Sequence, residues 1–169
     1  MSASAEPRPL TASLEFPHPA SEVWEVVSDV RRTGEWSAEC RRVVPLGKVR
    51  VGTLLLGLNR RGWVGWPTLS RITSFTPARE IGWVVLTNRA EWRYELTDRG
   101  VGTLVRQTRR TPRGESAFAL LFTRALLGGQ ADHDTELEEA MARGLRRIEA
   151  IVRADATARW EQSVVRGSL

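Results

Sequence analysis

The chain has 169 residues, 41% of them hydrophobic, which is enough for one hydrophobic core and too little for two. A single cysteine, Cys40, cannot form an intramolecular disulfide, and with only His18 and His133 beside it we expect no metal site and no other cofactor. No run reaches the roughly 20 apolar residues of a membrane span, and the N-terminus lacks the features of a signal peptide, which predicts a cytoplasmic protein without stable membrane insertion.

The net charge of +5 comes from 25 Lys and Arg residues against 20 Asp and Glu residues. The basic residues are distributed through every segment of the chain. Binding of nucleic acid would require them to gather on one face together with aromatic side chains that stack on bases. We therefore predict no nucleic-acid partner.

In chain order, residues 1–9 contain prolines and small residues without an apolar period, and we predict a flexible tail. Apolar and polar residues then alternate from Leu10 to Phe16, which is the period of a half-buried strand. Apolar residues at helical spacing follow over 20–29, and a second helical turn is predicted over 30–36. These two pieces form a short helical elbow.

From Cys40 onward the pattern changes to short apolar runs separated by Gly, Pro, Asn and Asp. The breaks are too short for crossover connections, so neighbouring strands must be antiparallel, as in a meander. Between Glu91 and Leu96 the aromatic residues and Leu share one face while the charges share the other, so one face of the sheet is in water. The predicted strands are 40–46, 52–60, 65–75, 80–87, 90–97 and 103–111.

A short apolar segment over 116–127 follows the last strand and is predicted to be an inserted helix. Two interpretations stay open for it. One is a helix packed on the core; the other is a lid, portal or dimer contact, because Gly and Pro residues on both sides would let it move near a cavity mouth.

The longest predicted helix covers 132–156, with apolar residues at spacings of three and four on one stripe and charges opposite. Gly144 lies on the apolar side, where it costs roughly 1 kcal/mol relative to Ala, so either the sheet or a ligand is expected to approach the backbone there. We predict a single domain over 10–156 and a C-terminal tail over 157–169.

This order of elements resembles the START-like, or SRPBCC, superfamily. The segment ASEVWEVVSDV over 20–30 resembles its opening helix, and GEWSAEC over 34–40 resembles a bacterial branch of polyketide cyclase/dehydrase-like proteins. The likeness covers about 10–155. It implies an α+β helix-grip fold, in which a curved antiparallel sheet of about seven strands wraps a long C-terminal helix.

The resemblance also implies a cavity between the concave face of the sheet and the long helix. The residue pattern agrees, because an aromatic sheet face offers more apolar area than one helix stripe can cover. Trp36 could instead pack within the elbow, and Asn59 could instead satisfy a backbone group at a strand end. The residues expected to line the cavity are Trp36, Asn59, Trp66, Ser70, Trp83, Trp92, Tyr94, Gln107, Met141, Leu145 and Ile148.

Two functions of different classes follow from such a cavity. A carrier or sensor of a small hydrophobic ligand, lipid-like or polyketide-like, needs the cavity alone and ranks first. A polyketide cyclase or aromatase needs acid–base groups as well, and the inner strand positions carry no such pair and no triad, so enzyme activity stays open and no catalytic residue is assigned. An interaction module that uses 116–127 ranks third. We expect a monomer or a homodimer.

Overall fold

A computed structural model describes residues 8–111 and 130–167, with side chains for 8–111 and 134–166. The predicted helix over 116–127 therefore lies outside the described residues. The elements follow in the order β1 (Leu10–Phe16), α1 (Ala20–Val27), a 3-10 turn (Val30–Arg32), α2 (Thr33–Trp36), β2 (Cys40–Pro45), β3 (Leu54–Arg61), β4 (Val64–Thr76), β5 (Glu80–Val85), β6 (Glu91–Asp98), β7 (Thr103–Arg110) and α3 (Gln130–Gly167).

The seven strands form one antiparallel sheet in the order β1-β7-β6-β5-β4-β3-β2. Each strand after the elbow pairs with the next along the chain, and β1 returns to pair with β7. The predicted meander is confirmed, with strand ends within two residues of those expected. The short connections allow only this arrangement, because parallel neighbours would need a long crossover.

One face of the sheet packs against the helices, and strand alternation determines which side chains lie there. In β7, Val105 and Gln107 are buried whereas Arg106 between them is exposed. In α3, Leu145 and Ile148 are fully buried in the same core. The sheet therefore wraps α3 as the helix-grip resemblance implies, and that prediction is confirmed.

The elbow closes one end of the sheet. The Asp29 side chain accepts a hydrogen bond from the Arg31 backbone N–H, which caps the 3-10 turn. Trp24 packs edge-to-face on Phe75 with ring centroids 5.1 Å apart, so Trp24 belongs to the elbow packing. Arg32 also connects the elbow to α3, through an ion pair with Asp155.

The Arg32 guanidinium makes two hydrogen bonds to the Glu35 carboxylate and one of 2.6 Å to Asp155 on α3. This geometry uses the planar fork of arginine, which a lysine could not reproduce. The elbow is thus held against α3 as well as against the sheet.

The prediction that the long helix ends near Ala156 is wrong, since α3 continues to Gly167. All side chains from 157 to 166 are exposed, so no apolar stripe marks this part of the helix. The sequence there contains no Pro, and Arg159 forms an ion pair with Glu25 of α1. Helical propensity and this ion pair are sufficient to extend a helix whose preceding part is already stabilised by packing on the core.

Deletion of residues 158–169 is expected to lower the free energy of unfolding by less than about 1 kcal/mol, because the side chains of 158–166 are exposed and the ion pairs of Arg159 with Glu22 and Glu25 are at the surface. The Val152→Ala variant serves as the control, since this fully buried side chain should cost about 2 kcal/mol. Urea unfolding measures both. A deletion as costly as the control would place 158–167 inside the stable domain and would refute the predicted boundary near 156.

Candidate ligand cavity

A cavity of about 620 Å³ lies between the concave face of the sheet, the elbow and the N-terminal half of α3. Its size is within the range of pockets that enclose small organic ligands. The structure brings together there eight of the eleven residues that the sequence predicts: Trp36, Asn59, Ser70, Trp83, Trp92, Tyr94, Gln107 and Met141.

Three predicted residues are not part of the wall. Leu145 and Ile148 lie further along α3, where the helix packs directly on the core and both side chains are fully buried. Trp66 lies toward the free end of the β3–β4 hairpin, opposite Asn59, and is only partly buried. Strand and helix periodicity give the face on which a residue lies, but not its position along the element.

The deep end of the cavity contains a buried polar cluster. Trp36 Nε1 donates a hydrogen bond of 3.2 Å to Tyr94 Oη, and both residues are only 3% exposed. Gln107 is opposite Tyr94 in the β6–β7 register and also hydrogen-bonds to its hydroxyl. Burial raises the pKa of Tyr94 well above its usual value, so this phenol stays neutral across the physiological range.

Two polar groups of this cluster remain available to a ligand. The Tyr94 oxygen accepts the hydrogen bond from Trp36 Nε1, and its O–H group can in addition donate one hydrogen bond. The Gln107 Oε1 atom is buried and has no hydrogen-bond partner among the described residues. Both residues line the cavity, so this O–H donor and this carbonyl oxygen belong to its wall.

A second polar group lies on β3 and β4. Asn59 Nδ2 donates to Thr68 Oγ1 at 3.1 Å and to the Trp66 carbonyl oxygen at 3.4 Å. Both interpretations of Asn59 thus hold, since it lines the cavity and also satisfies a backbone group. Gly57 leaves the space that Thr68 needs, because a Cβ atom there would come within 2.5 Å of Thr68 Oγ1.

Aromatic rings form much of the remaining wall. The rings of Trp83 and Tyr94 are 6.0 Å apart between centroids and tilted by 39°. The Arg109 guanidinium carbon lies 5.9 Å from the centre of the Trp92 ring, within the range of a cation–π contact. These contacts hold the rings in place and present their apolar surface to the cavity.

Charged residues occur where the wall reaches solvent, at the mouth. Arg61 at the end of β3 contacts Glu136 of α3 at 3.3 Å and Glu39 before β2 at 3.8 Å. All three line the cavity and are about half exposed. Sequence reasoning missed them, because a charged residue at a strand or helix end carries no periodic signal that distinguishes a cavity mouth from ordinary surface.

Cys40 and Gly144 also line the wall. Burial raises the pKa of the Cys40 thiol, which makes this cysteine a poor nucleophile. A Cβ atom on Gly144 would lie 3.5 Å from the Trp36 carbonyl oxygen. The described group nearest to Gly144 is therefore the elbow and not the sheet, whereas approach of a ligand stays a prediction because Gly144 lines the cavity.

Within residues 8–111 and 130–167, no group of three or more His, Cys, Asp or Glu residues is placed to hold a metal ion. No helix in these ranges is long and apolar enough to cross a membrane.

The fold and the cavity together define a helix-grip protein with an internal ligand-sized cavity. The sequence over 16–129, more than half of the chain, matches the family described as polyketide cyclase / dehydrase and lipid transport. The chain therefore belongs to this family, and the resemblance found in its sequence is confirmed. No sequence among curated proteins matches it.

Several solved structures share the fold. The Polyketide_cyc-like protein Cgl2372 from Corynebacterium glutamicum has 24% identity and a TM-score of 0.58, over 89% of this chain and 95% of that protein. The protein TTHA0849 from Thermus thermophilus has 16% identity and a TM-score of 0.66, over 88% and 99%. The di-domain ARO/CYC StfQ of the steffimycin biosynthetic pathway has 12% identity and a TM-score of 0.67, over 88% of this chain and 51% of StfQ. At these identities the likeness establishes the fold alone.

Tyr94 is the only tyrosine in the chain, so the ultraviolet absorbance of tyrosinate reports this residue alone. We expect little tyrosinate in the folded protein at about pH 11, where an exposed tyrosine is roughly nine-tenths ionised. Because the phenol must lose its proton when the chain unfolds above about pH 10, stability should fall as the pH rises through that value. A spectrophotometric titration, with the protein in urea as the control, measures this. Ionisation near pH 10 in a chain that circular dichroism shows to be folded would contradict the buried cluster.

Proposed function

We propose that the protein binds a small hydrophobic molecule, lipid-like or polyketide-like, as a cytoplasmic carrier or sensor. The observation that carries this proposal is the 620 Å³ cavity, with an aromatic wall and hydrogen-bonding groups concentrated at its deep end. A wall of this kind favours apolar molecules, since most of the binding free energy comes from apolar area removed from water. The protein acts as a monomer or a homodimer.

The polar cluster restricts the chemistry of the ligand. Tyr94 offers an O–H donor, and Gln107 offers an unpartnered carbonyl oxygen. A ligand that left Gln107 Oε1 unpaired in a dry cavity would lose about 1–3 kcal/mol relative to one that satisfied it. The ligand that fits best is apolar along its length and ends in an oxygen acceptor beside a hydroxyl or N–H donor.

A cyclase or aromatase that acts on a bound poly-carbonyl chain is the second candidate. It is favoured by the Tyr94 hydroxyl, which could donate to a ligand carbonyl, and by the family to which the chain belongs. Against it, the raised pKa of Tyr94 makes this phenol a poor acid, and Glu39 and Glu136 are paired with Arg61 at the mouth. Binding without turnover therefore ranks first, and conversion of a poly-carbonyl chain by the purified protein would reverse this order.

The Gly144→Ala and Gly144→Leu variants test whether apolar molecules enter the cavity. A methyl group at Gly144 meets only ordinary van der Waals contact with the Trp36 carbonyl oxygen, so the Ala variant should bind a naphthalene-sulfonate dye as the natural sequence does. Its helix should gain up to about 1 kcal/mol. The Leu side chain should extend into the cavity and weaken dye binding by about tenfold. Fluorescence titration measures binding.

Urea unfolding of the same two variants completes the test. If the Leu variant binds dye normally but loses about 1–3 kcal/mol of stability, its side chain is overpacked against the elbow and not in the ligand space. Failure of the natural sequence to bind either the dye or a fatty acid, while circular dichroism shows it to be folded, would refute the proposed function.

A further inference from the structure

The outer face of the sheet, which points away from α3, carries an apolar row that crosses β2, β3 and β4 and ends beside β5. Val44 on β2 is opposite Leu56 on β3, and Leu56 is opposite Leu69 on β4. The Leu86 backbone N–H donates to the Leu69 carbonyl oxygen and extends the row just beyond β5. Val44, Leu56 and Leu86 are 37%, 38% and 41% exposed. A row of aliphatic side chains in water is costly unless something covers it.

More exposed apolar side chains surround this row. Leu58 follows Leu56 on the same face of β3 and is 46% exposed, and Leu46 at the end of β2 is 57% exposed. Trp63, in the turn between β3 and β4, is 97% exposed. More than half of the strongly exposed large hydrophobic side chains in the described part of the chain lie within 44–64.

All charged residues in this region of the chain are basic. Residues 40–79 contain no Asp and no Glu, although the whole chain has 20 of them. Two of the basic residues, Arg42 opposite Leu58 and Arg71 opposite Leu54, lie on the same face as the apolar row. The basic residues of 40–79 are Arg41, Arg42, Lys48, Arg50, Arg60, Arg61, Arg71 and Arg79.

The other half of the outer face is different. Glu95 on β6 is opposite Arg106 on β7, and Arg106 is opposite Ser13 on β1. Arg93 on β6 pairs with Glu80 on β5. This half has mixed charges and polar side chains, as an ordinary solvated surface does. The apolar and basic character is concentrated on β2, β3, β4 and their turns, and Leu86 beside β5 is at its border.

We propose that this half is a docking face for a membrane surface that contains anionic lipid. The docking face consists of the outer side chains of β2, β3 and β4 together with Trp63. Arginines beside aliphatic side chains fit such a surface, because the guanidinium groups pair with lipid phosphates while the aliphatic groups and the indole enter the interfacial layer. Exposed groups of one sign attract the opposite charge, which anionic lipid supplies.

Two other occupants fit less well. A second copy of the chain would bring Arg42 and Arg71 toward identical arginines across a two-fold interface, where like charges oppose association. A nucleic acid would pair with the arginines, but the aliphatic row could neither stack on bases nor contact phosphates favourably. A membrane surface with anionic lipid can contact both the arginines and the apolar side chains favourably.

The docking face and the cavity mouth meet in one hairpin. Arg61 at the end of β3 lines the mouth, and Trp63 lies two residues further, in the turn that follows β3. Docking would therefore bring the mouth toward the lipid surface. The inference does not depend on the proposed function, because it rests on the outer face and not on the cavity.

Flotation of the full chain with lipid vesicles tests the docking face. We expect binding to phosphatidylcholine vesicles that contain phosphatidylglycerol, none to pure phosphatidylcholine, and loss of binding at high salt. The Arg42→Gln/Arg71→Gln variant should bind about fivefold more weakly for each charge removed. Trp63→Ala should also weaken binding, and a side chain this exposed can be removed without unfolding the protein.

Two control variants make the same changes in charge and residue type outside the docking face. Arg106→Gln/Arg110→Gln removes the same charge from the other half of the outer face, and Trp160→Ala removes a second exposed tryptophan, 66% exposed, from α3. These controls should leave binding unchanged.

Four results would overturn the inference. They are absence of binding to both vesicles, an equal loss of binding in the control variants, comparable binding of duplex DNA that is sensitive to the docking-face variants, and self-association of the chain that Leu56→Ser abolishes.

Discussion

A buried hydrogen bond between Trp36 and Tyr94 joins the elbow to the sheet, and the cavity depends on it. Both residues are only 3% exposed, so neither the indole N–H nor the phenol oxygen can exchange its partner for bulk water. Leaving one of these groups unsatisfied would cost about 1–3 kcal/mol. Trp36 ends α2 and Tyr94 is in the centre of β6, so this bond fixes the height of the elbow above the sheet.

The cavity itself follows from uneven coverage of the sheet by α3. In its middle part, Leu145, Ile148 and Val152 are fully buried and fill the space above the sheet. Before them, Ala140 and Gly144 line the cavity and leave that space open. The Arg32–Asp155 ion pair holds the elbow against the helix just beyond the filled part. The cavity therefore exists because the small residues lie on one part of the inward stripe of α3. The sheet and the elbow, held in place by the contacts above, keep it open.

Much of the fold could be predicted, because periodicity and turn residues are local signals. Alternation over Glu91–Asp98 and the helical spacing of α3 determine which side chains face inward, and the strands then have one feasible antiparallel order. Most of the aromatic wall follows from that alternation. The resemblance to the helix-grip superfamily supplied what the residue pattern alone left open, namely that the sheet curves around the helix and leaves a cavity.

The other features of the cavity depend on how far along its helix or strand each residue lies, which alternation does not encode. Leu145 is on the inward face of α3, as predicted, but it lies where the helix packs directly on the core. Trp66 is on the inward face of β4, as predicted, but it lies too near the end of the β3–β4 hairpin to reach the cavity. Distance along an element is set by tertiary contacts that the local sequence does not record. The Arg61–Glu136 pair at the mouth joins residues far apart in the chain, so no local pattern could indicate it.

The seven tryptophans provide the most direct measurement of the central claim that ligand binds inside this cavity. Each indole N–H gives a separate signal in a nitrogen–proton correlation NMR spectrum, and titration with a fatty acid reports which rings the ligand contacts. The signals of Trp36, Trp83 and Trp92, which line the wall, should shift, while those of the exposed Trp63 and Trp160 should not. Shifts confined to Trp63 and Trp160 would contradict this claim, because the ligand would then bind the surface and leave the cavity empty.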